Sequence, residues 1–166
     1  MVSPNKNADL GALLERLLAA DVTFVLVGGL AAVAQGAPTT TFDVDIVPAL
    51  DKENIERLDQ VLRELNAYYR RPDSRIIPVD AHALARGGHH LLVTELGALD
   101  ILATIEKQQG YEDLAQGCES IEFRGYQLSV LTLQQMLSLK ADSSHEKDQQ
   151  LVALLRAMLA GGADDE

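Results

Sequence analysis

Apolar residues recur along the chain with two periods, and the alternation of those periods lays out a sequence of elements. Behind Asp9, a residue suited to cap a helix, Leu10, Leu13, Leu14, Leu17 and Leu18 fall at helical spacing and predict a helix over 9–20. Thr23 to Val27 is a wholly apolar, β-rich run that stops at Gly28-Gly29, the pattern of a buried strand, and Leu30 to Gln35 continues as a small-residue helix ended by Gly36. Asp43-Val-Asp-Ile-Val47 alternates with period two before Pro48, so its acids share one face of a strand while Val44 and Ile46 take the other. Asp51 opens a helix to about Ala67 with Ile55, Leu58, Val61, Leu62 and Leu65 as its core stripe and Glu53 and Arg57 spaced as a surface ion pair.

The second half repeats the mixture. Two strands, His90–Leu96 and Ala98–Ile105, flank Gly97, and a second hairpin turns at Gly125 between Ile121–Arg124 and Gln127–Leu131. Thr132 caps a helix to about Ala141, and a last helix from about Glu146 to Ala160 carries Leu151, Leu154, Leu155, Met158 and Leu159. Hairpins among helices argue against an all-parallel sheet. The expectation is an α+β fold, one mixed β-sheet flanked by helices, in a single domain over 1–160. Its C-terminal helices, 132–160, pack on it, and 161–166 form a disordered tail.

Composition narrows the function classes. A length of 166 residues with 47% hydrophobic content is enough for one core without disulfides. The single Cys118 cannot form an intrachain bridge and suits a reducing cytoplasm, and no His or second Cys lies near it in sequence. The first residues lack a signal-peptide core, and the longest apolar run, Phe24 to Ala34, is too short to span a bilayer, so no membrane partner is expected. The net charge of −11 repels a phosphate backbone and argues against general DNA binding. Only 68–90 is basic, with four Arg against two Asp: Arg70, Arg71, Arg75 and Arg86 there offer an anionic ligand its most favourable field, or form a solvated strip.

Candidate chemistry concentrates between Val27 and Asp45. Gly28 and Gly29 stand between a strand and a helix, where bare backbone can approach a phosphate, although a double glycine also serves as a plain tight turn. Neither the dinucleotide fingerprint nor a Walker lysine is present. Asp43 and Asp45, about 6–7 Å apart on one strand face, repel unless a cation sits between them, and hard oxygen ligands of this kind suit Mg²⁺. Asp100, set between Leu99 and Ile101, is a charge out of place in a core strand. If its strand neighbours the first, three carboxylates meet at one point, enough for two ions about 3.5–4 Å apart; otherwise all three are edge or loop acids of a very acidic chain. His89 and His90 are adjacent on a strand and face opposite ways, which disfavours a shared metal, and Tyr68-Tyr69 reads as core plugs at a helix end.

Gly28-Gly29, a short helix, then Gly36-x-Pro38-x-x-Thr41-x-Asp43-x-Asp45, with a lone Asp100 later in an apolar strand, resembles the nucleotidyltransferase superfamily. Gly110-Tyr-Glu-Asp-Leu114, Val130-Leu-Thr-Leu133 and Lys140 with Lys147-Asp148 resemble its small bacterial branch related to AbiEii toxins and minimal nucleotidyltransferase antitoxins. The resemblance implies a nucleotidyltransferase fold and transfer of a nucleoside monophosphate from an NTP to a hydroxyl. It further implies Asp43, Asp45 and Asp100 as the catalytic ligands of Mg²⁺ or Mn²⁺, and Gly28, Gly29, Thr41, Lys140 and Lys147 as nucleotide-binding residues. The implied acceptor is a tRNA end, a protein or a small molecule, and a cognate toxin or antitoxin is an implied partner. Thr39, Phe42 and His145 stand where relatives carry cationic residues. Their presence supports a rival expectation, a weak or inactive antitoxin-like module that works by contact, unless Arg70, Arg71, Arg75 or Arg86 supplies the missing charge.

Overall fold

A computed structural model describes residues 8–163. Helix α1, Leu10–Ala19, starts where Asp9 Oδ1 accepts from the Ala12 amide at 2.9 Å, and its Leu13 and Leu17 are fully buried. Strand β1, Phe24–Val27, is buried along its whole length. Helix α2 spans Gly28–Ala34, so the two glycines form its first turn rather than a bend before it, and strand β2 spans Asp43–Pro48. Helix α3, Lys52–Glu64, ends about three residues before the expected Ala67, because Asn66 adopts φ 51° and breaks the helical path there. The expected Glu53–Arg57 pair does not form. Arg57 Nε instead donates to the Asp21 carbonyl at 3.1 Å.

Tyr68–Tyr69 is a two-residue strand, β3, rather than a pair of plugs at a helix end, and helix α4, Ala81–Ala85, comes after it. Strands β4, His89–Thr94, and β5, Gly97–Leu102, form the expected hairpin, with β5 ending three residues before the expected Ile105. A 3₁₀ turn at Glu106–Gln108 and helix α5, Tyr111–Ala115, lead to the hairpin of β6, Glu119–Phe123, and β7, Tyr126–Val130. Helix α6, Leu133–Lys140, carries the Thr132 cap in a reciprocal capping box with Gln135, and α7 spans Glu146–Ala163. That last helix runs through 161–163, which the sequence assigns to a tail; 164–166 lie outside the described residues.

The seven strands form one mixed sheet in the order β3-β4-β5-β2-β1-β7-β6. Two of its contacts are parallel, β2 with β5 and β1 with β7, and neither could come from a hairpin. Val44, Ile46, Leu99 and Ile101 are buried at 3% exposure or less, so the apolar phase of β2 and β5 faces the core, and the acidic phase necessarily faces the other way.

One buried polar residue ties this centre together. Asn54 of α3 has no exposure; its Oδ1 accepts from the Thr23 amide at 2.6 Å, and its Nδ2 donates to the carbonyls of Thr23 at 2.8 Å and Ala49 at 2.7 Å. It thereby fixes the start of β1 against the end of β2. Truncation strands buried backbone groups at about 1–3 kcal/mol each. Asn54→Ala is therefore expected to cost about 3 kcal/mol in urea denaturation, whereas Arg57→Ala, which removes one exposed bond, is expected to cost under about 0.5 kcal/mol.

Candidate active site

The parallel register sets Asp45 of β2 directly beside Asp100 of β5, with Asp43 two residues along the same strand face. Carboxylate oxygens of Asp43, Asp45 and Asp100 all lie within 4.8 Å of one another, and each residue is half-buried. Like charges side by side on a sheet are destabilising. The cost appears in the protonation of Asp45, whose pKa rises to about 7, first through burial and then through the charges of Asp43 and Asp100. Burial also raises Asp100, while the Arg70 guanidinium pulls against that shift. Arg70 is the one cation paired with these three carboxylates among the described residues, and their remaining oxygens can hold a metal ion.

The chain beside the trio is built for close approach. Gly28 comes directly after β1 with φ +72°, and a Cβ on it would lie 2.1 Å from Asp45 Oδ2. Any side chain here meets both a backbone conformation it resists and a carboxylate. A Cβ on Gly29 would lie 3.1 Å from Thr41 Oγ1. The Thr41 hydroxyl donates to the Asp43 carbonyl and to Asp43 Oδ1, each at 3.3 Å, and so orients the first carboxylate.

All of this opens into a cleft of about 910 Å³. Gly28, Gly29, Thr41, Asp43, Asp45, Lys140 and Lys147 line it, so the structure collects these sequence-derived candidates on one surface; Asp100 faces the same cluster from β5. Its lining mixes charged, polar and apolar side chains. The acids, threonines and Arg70 line the cleft together with the apolar Leu131, Met136, Leu139, Leu151 and Leu154, the last four from α6 and α7. The two lysines differ in state. Lys140 Nζ binds Glu106 Oε1 at 2.7 Å and Asp148 Oδ1 at 3.4 Å, and these bonds raise its pKa against the opposing effect of burial. Asp148 is itself oriented by the Ser143 hydroxyl at 2.7 Å, which lowers its pKa. Lys147 makes no ion pair among the described residues and is exposed.

Of the four arginines in the basic stretch, Arg70 alone reaches the cleft. Its Nη2 donates to Asp100 Oδ1 at 2.8 Å. Arg71 is spent on Asp73 at 2.9 Å, and neither Arg75 nor Arg86 lines the cleft. Thr39 and Phe42 line it too, with Phe42 79% exposed at the mouth, while His145 lies outside. The two histidines do face opposite ways. His89 is exposed, and the buried His90 is held by the Tyr69 hydroxyl at Nδ1 and the Gly87 carbonyl at Nε2, both at 2.8 Å. Cys118 is half-buried, its thiol directed at the Ala115 carbonyl. Among the described residues no helix is long and apolar enough to cross a membrane.

Neither a protein-family model nor a curated protein sequence matches the chain. Solved structures do. The lincosamide antibiotic adenylyltransferase LnuA, lincomycin-bound, superposes with a TM-score of 0.58 at 16% identity, over 91% of this chain and 98% of that one. ANT(2")-Ia in complex with adenylyl-2"-tobramycin gives 0.55 at 15% identity, over 90% and 89%. An antigenic nucleotidyltransferase-like protein from Paracoccidioides brasiliensis gives 0.51 at 16%, over 89% and 73%. At such identities the likeness speaks to architecture, and the mixed seven-stranded sheet with its flanking helices is the nucleotidyltransferase fold.

Proposed function

We propose that this protein is a metal-dependent nucleotidyltransferase that moves a nucleoside monophosphate from an NTP to a hydroxyl acceptor, releasing pyrophosphate. The observation that carries the reading is the convergence of Asp43, Asp45 and Asp100 within 4.8 Å beside a glycine that admits no side chain. Mg²⁺ or Mn²⁺ fits this all-oxygen donor set, and when bound it supplies charge neutralisation at the transferred phosphoryl group and acidity to the attacking hydroxyl. Asp43 and Asp45 would hold the metal. Asp100 would complete its oxygen ligands and accept the hydroxyl proton. Gly28 and Gly29 leave room for the triphosphate, Thr41 keeps Asp43 oriented, and Lys147 offers it a free positive charge. Lys140 can join only by exchanging Glu106 and Asp148 for phosphate oxygens.

The acceptor we favour is a small molecule. The cleft volume of about 910 Å³ suits a nucleotide and a compact partner, and a chain of net charge −11 repels polynucleotide. Two fold neighbours are an adenylyltransferase carrying lincomycin and a complex with an adenylylated tobramycin, which agrees with this choice. A second reading rests on Phe42, an exposed aromatic at the cleft mouth where a cation would help bind triphosphate. On that reading the protein is an antitoxin-like module acting on a cognate partner in a toxin–antitoxin pair. Calorimetry separates the two, since an enzyme binds a nonhydrolysable NTP with Mg²⁺ and a contact module does not.

Three outcomes are expected. With labelled ATP, CTP, GTP and UTP and a panel of hydroxyl acceptors, wild type releases pyrophosphate in a metal-dependent way and the Asp43→Ala/Asp45→Ala variant shows at least about a thousandfold less; equal rates would remove the enzyme reading. Gly28→Ala weakens Mn²⁺ binding about tenfold or more by displacing the Asp45 carboxylate, whereas Gly29→Ala, whose methyl meets a hydroxyl that can turn away, changes it by less than about threefold.

The third outcome concerns pH. Asp45 holds its proton more tightly folded than unfolded, so its contribution to stability is complete below about pH 4 and is lost as pH rises through about 7. Without divalent metal, wild type loses stability relative to Asp45→Asn between pH 4 and 7, by of order 1 kcal/mol once solvent screening is allowed for. Mg²⁺ removes the loss, and its own affinity falls as pH drops below 7 because a proton competes for the same oxygen.

A further inference from the structure

Arg70 has no part in the functional reading so far, yet among the described residues it forms the only ion pair with the acidic trio. Its placement is built rather than incidental. The Arg70 amide donates to the Leu91 carbonyl at 2.9 Å, extending the β3 ladder by one residue along β4. From that anchor the side chain reaches across β4, where Nη2 donates to the Leu92 carbonyl at 3.4 Å and to Asp100 Oδ1 at 2.8 Å. Asp100 is only 13% exposed, so the pair sits in a medium where charge counts for more than at a surface. Arg70 itself is 35% exposed and lines the cleft, leaving it room to turn toward a ligand.

Charge counting then constrains what the cluster can load. Three ionised carboxylates carry three negative charges. Arg70 and one divalent cation already balance them, so a second divalent cation would leave two positive charges in excess with Arg70 in place and one with its guanidinium displaced. An NTP carries about four negative charges, and guanidinium is well suited to phosphate, which it can grip in a bidentate fashion.

We propose that Arg70 is an internal counter-ion for Asp100 that makes cation binding there conditional on the anionic nucleotide. Without nucleotide, Arg70 holds Asp100 and the cluster takes about one divalent ion. When a triphosphate enters, Arg70 exchanges Asp100 for phosphate oxygens, and the freed carboxylate accepts the second ion. Metal and nucleotide then bind cooperatively, each raising the affinity of the other by the same factor. This rests on the metal-site reading above and adds to it a residue that couples the two ligands. It also answers how a chain with Thr39 and Phe42 at expected cationic positions supplies charge to a triphosphate.

The test is calorimetric titration of Mn²⁺ into wild type, Arg70→Gln and Arg70→Lys, each with and without a nonhydrolysable ATP analogue. Wild type is expected to bind about one Mn²⁺ alone and about two with the analogue. Arg70→Gln is expected to bind Mn²⁺ alone about fivefold more tightly, or to take a second ion, while binding the analogue at least about tenfold more weakly. Arg70→Lys, which keeps the charge, is expected to lie between them. If wild type binds no Mn²⁺, the metal-site reading falls and takes this inference with it. If wild type binds Mn²⁺ and Arg70→Gln, folded by circular dichroism, binds it no more tightly, only the counter-ion role is overturned. Should Arg70→Gln not fold, the guanidinium NMR signal of Arg70 in wild type decides. It shifts when Mg²⁺ and analogue are added together if the exchange occurs, and a signal unmoved by both overturns the proposal.

Discussion

Everything in the site stems from a repulsion that the sheet is not free to avoid. The apolar phases of β2 and β5 must face the core, and the parallel register that buries Val44, Ile46, Leu99 and Ile101 sets Asp45 beside Asp100 on the opposite face. A slip of one residue would relieve the acids but turn every core side chain outward. The fold therefore carries the electrostatic cost, expressed as a proton retained on Asp45 and a guanidinium drawn onto Asp100. A divalent cation would relieve both at once, and that is the physical basis of the metal-dependent activity proposed here. The strain is local: Asn54 and the fully buried leucines of α1 and α3 hold the surrounding sheet regardless of how the acids are neutralised.

The α+β class and the two hairpins were legible because period-two and period-3.6 patterns are long enough to read in those segments. The Asp43/Asp45 alternation and the misplaced charge of Asp100 were legible for the same reason, since each breaks a pattern that the core requires. Their meeting was not, because a parallel pairing between strands far apart in sequence leaves no local trace. Strand β3 has two residues and α4 and α5 five each, less than any period needs to show itself. Reading Tyr68-Tyr69 as a helix end concealed the role of Arg70: only when the tyrosines form a strand paired with β4 does the adjoining arginine reach β5, so sequence offered four equivalent arginines where the structure selects one. Asn54, a polar residue inside a helical stripe, gave no signal of its three backbone partners.

The cleft combines acids carried by the sheet with apolar and charged side chains carried by α6 and α7. The Lys140, Glu106, Asp148 and Ser143 network spans the seam between the 3₁₀ turn and those helices, so the C-terminal helices are fixed to the turn that follows β5 at the edge of the cleft. On the function proposed above, a nucleotide entering there would trade protein ion pairs for phosphate contacts at Lys140 and at Arg70. Such exchange keeps the net gain per contact modest and makes binding depend on the complete set of partners, metal included.

The most direct measurement of the central claim is the anomalous difference density of a crystal soaked in Mn²⁺. The account requires a peak bounded by oxygens of Asp43, Asp45 and Asp100. Well-ordered carboxylates with no peak between them, or manganese bound only elsewhere on the chain, would contradict it.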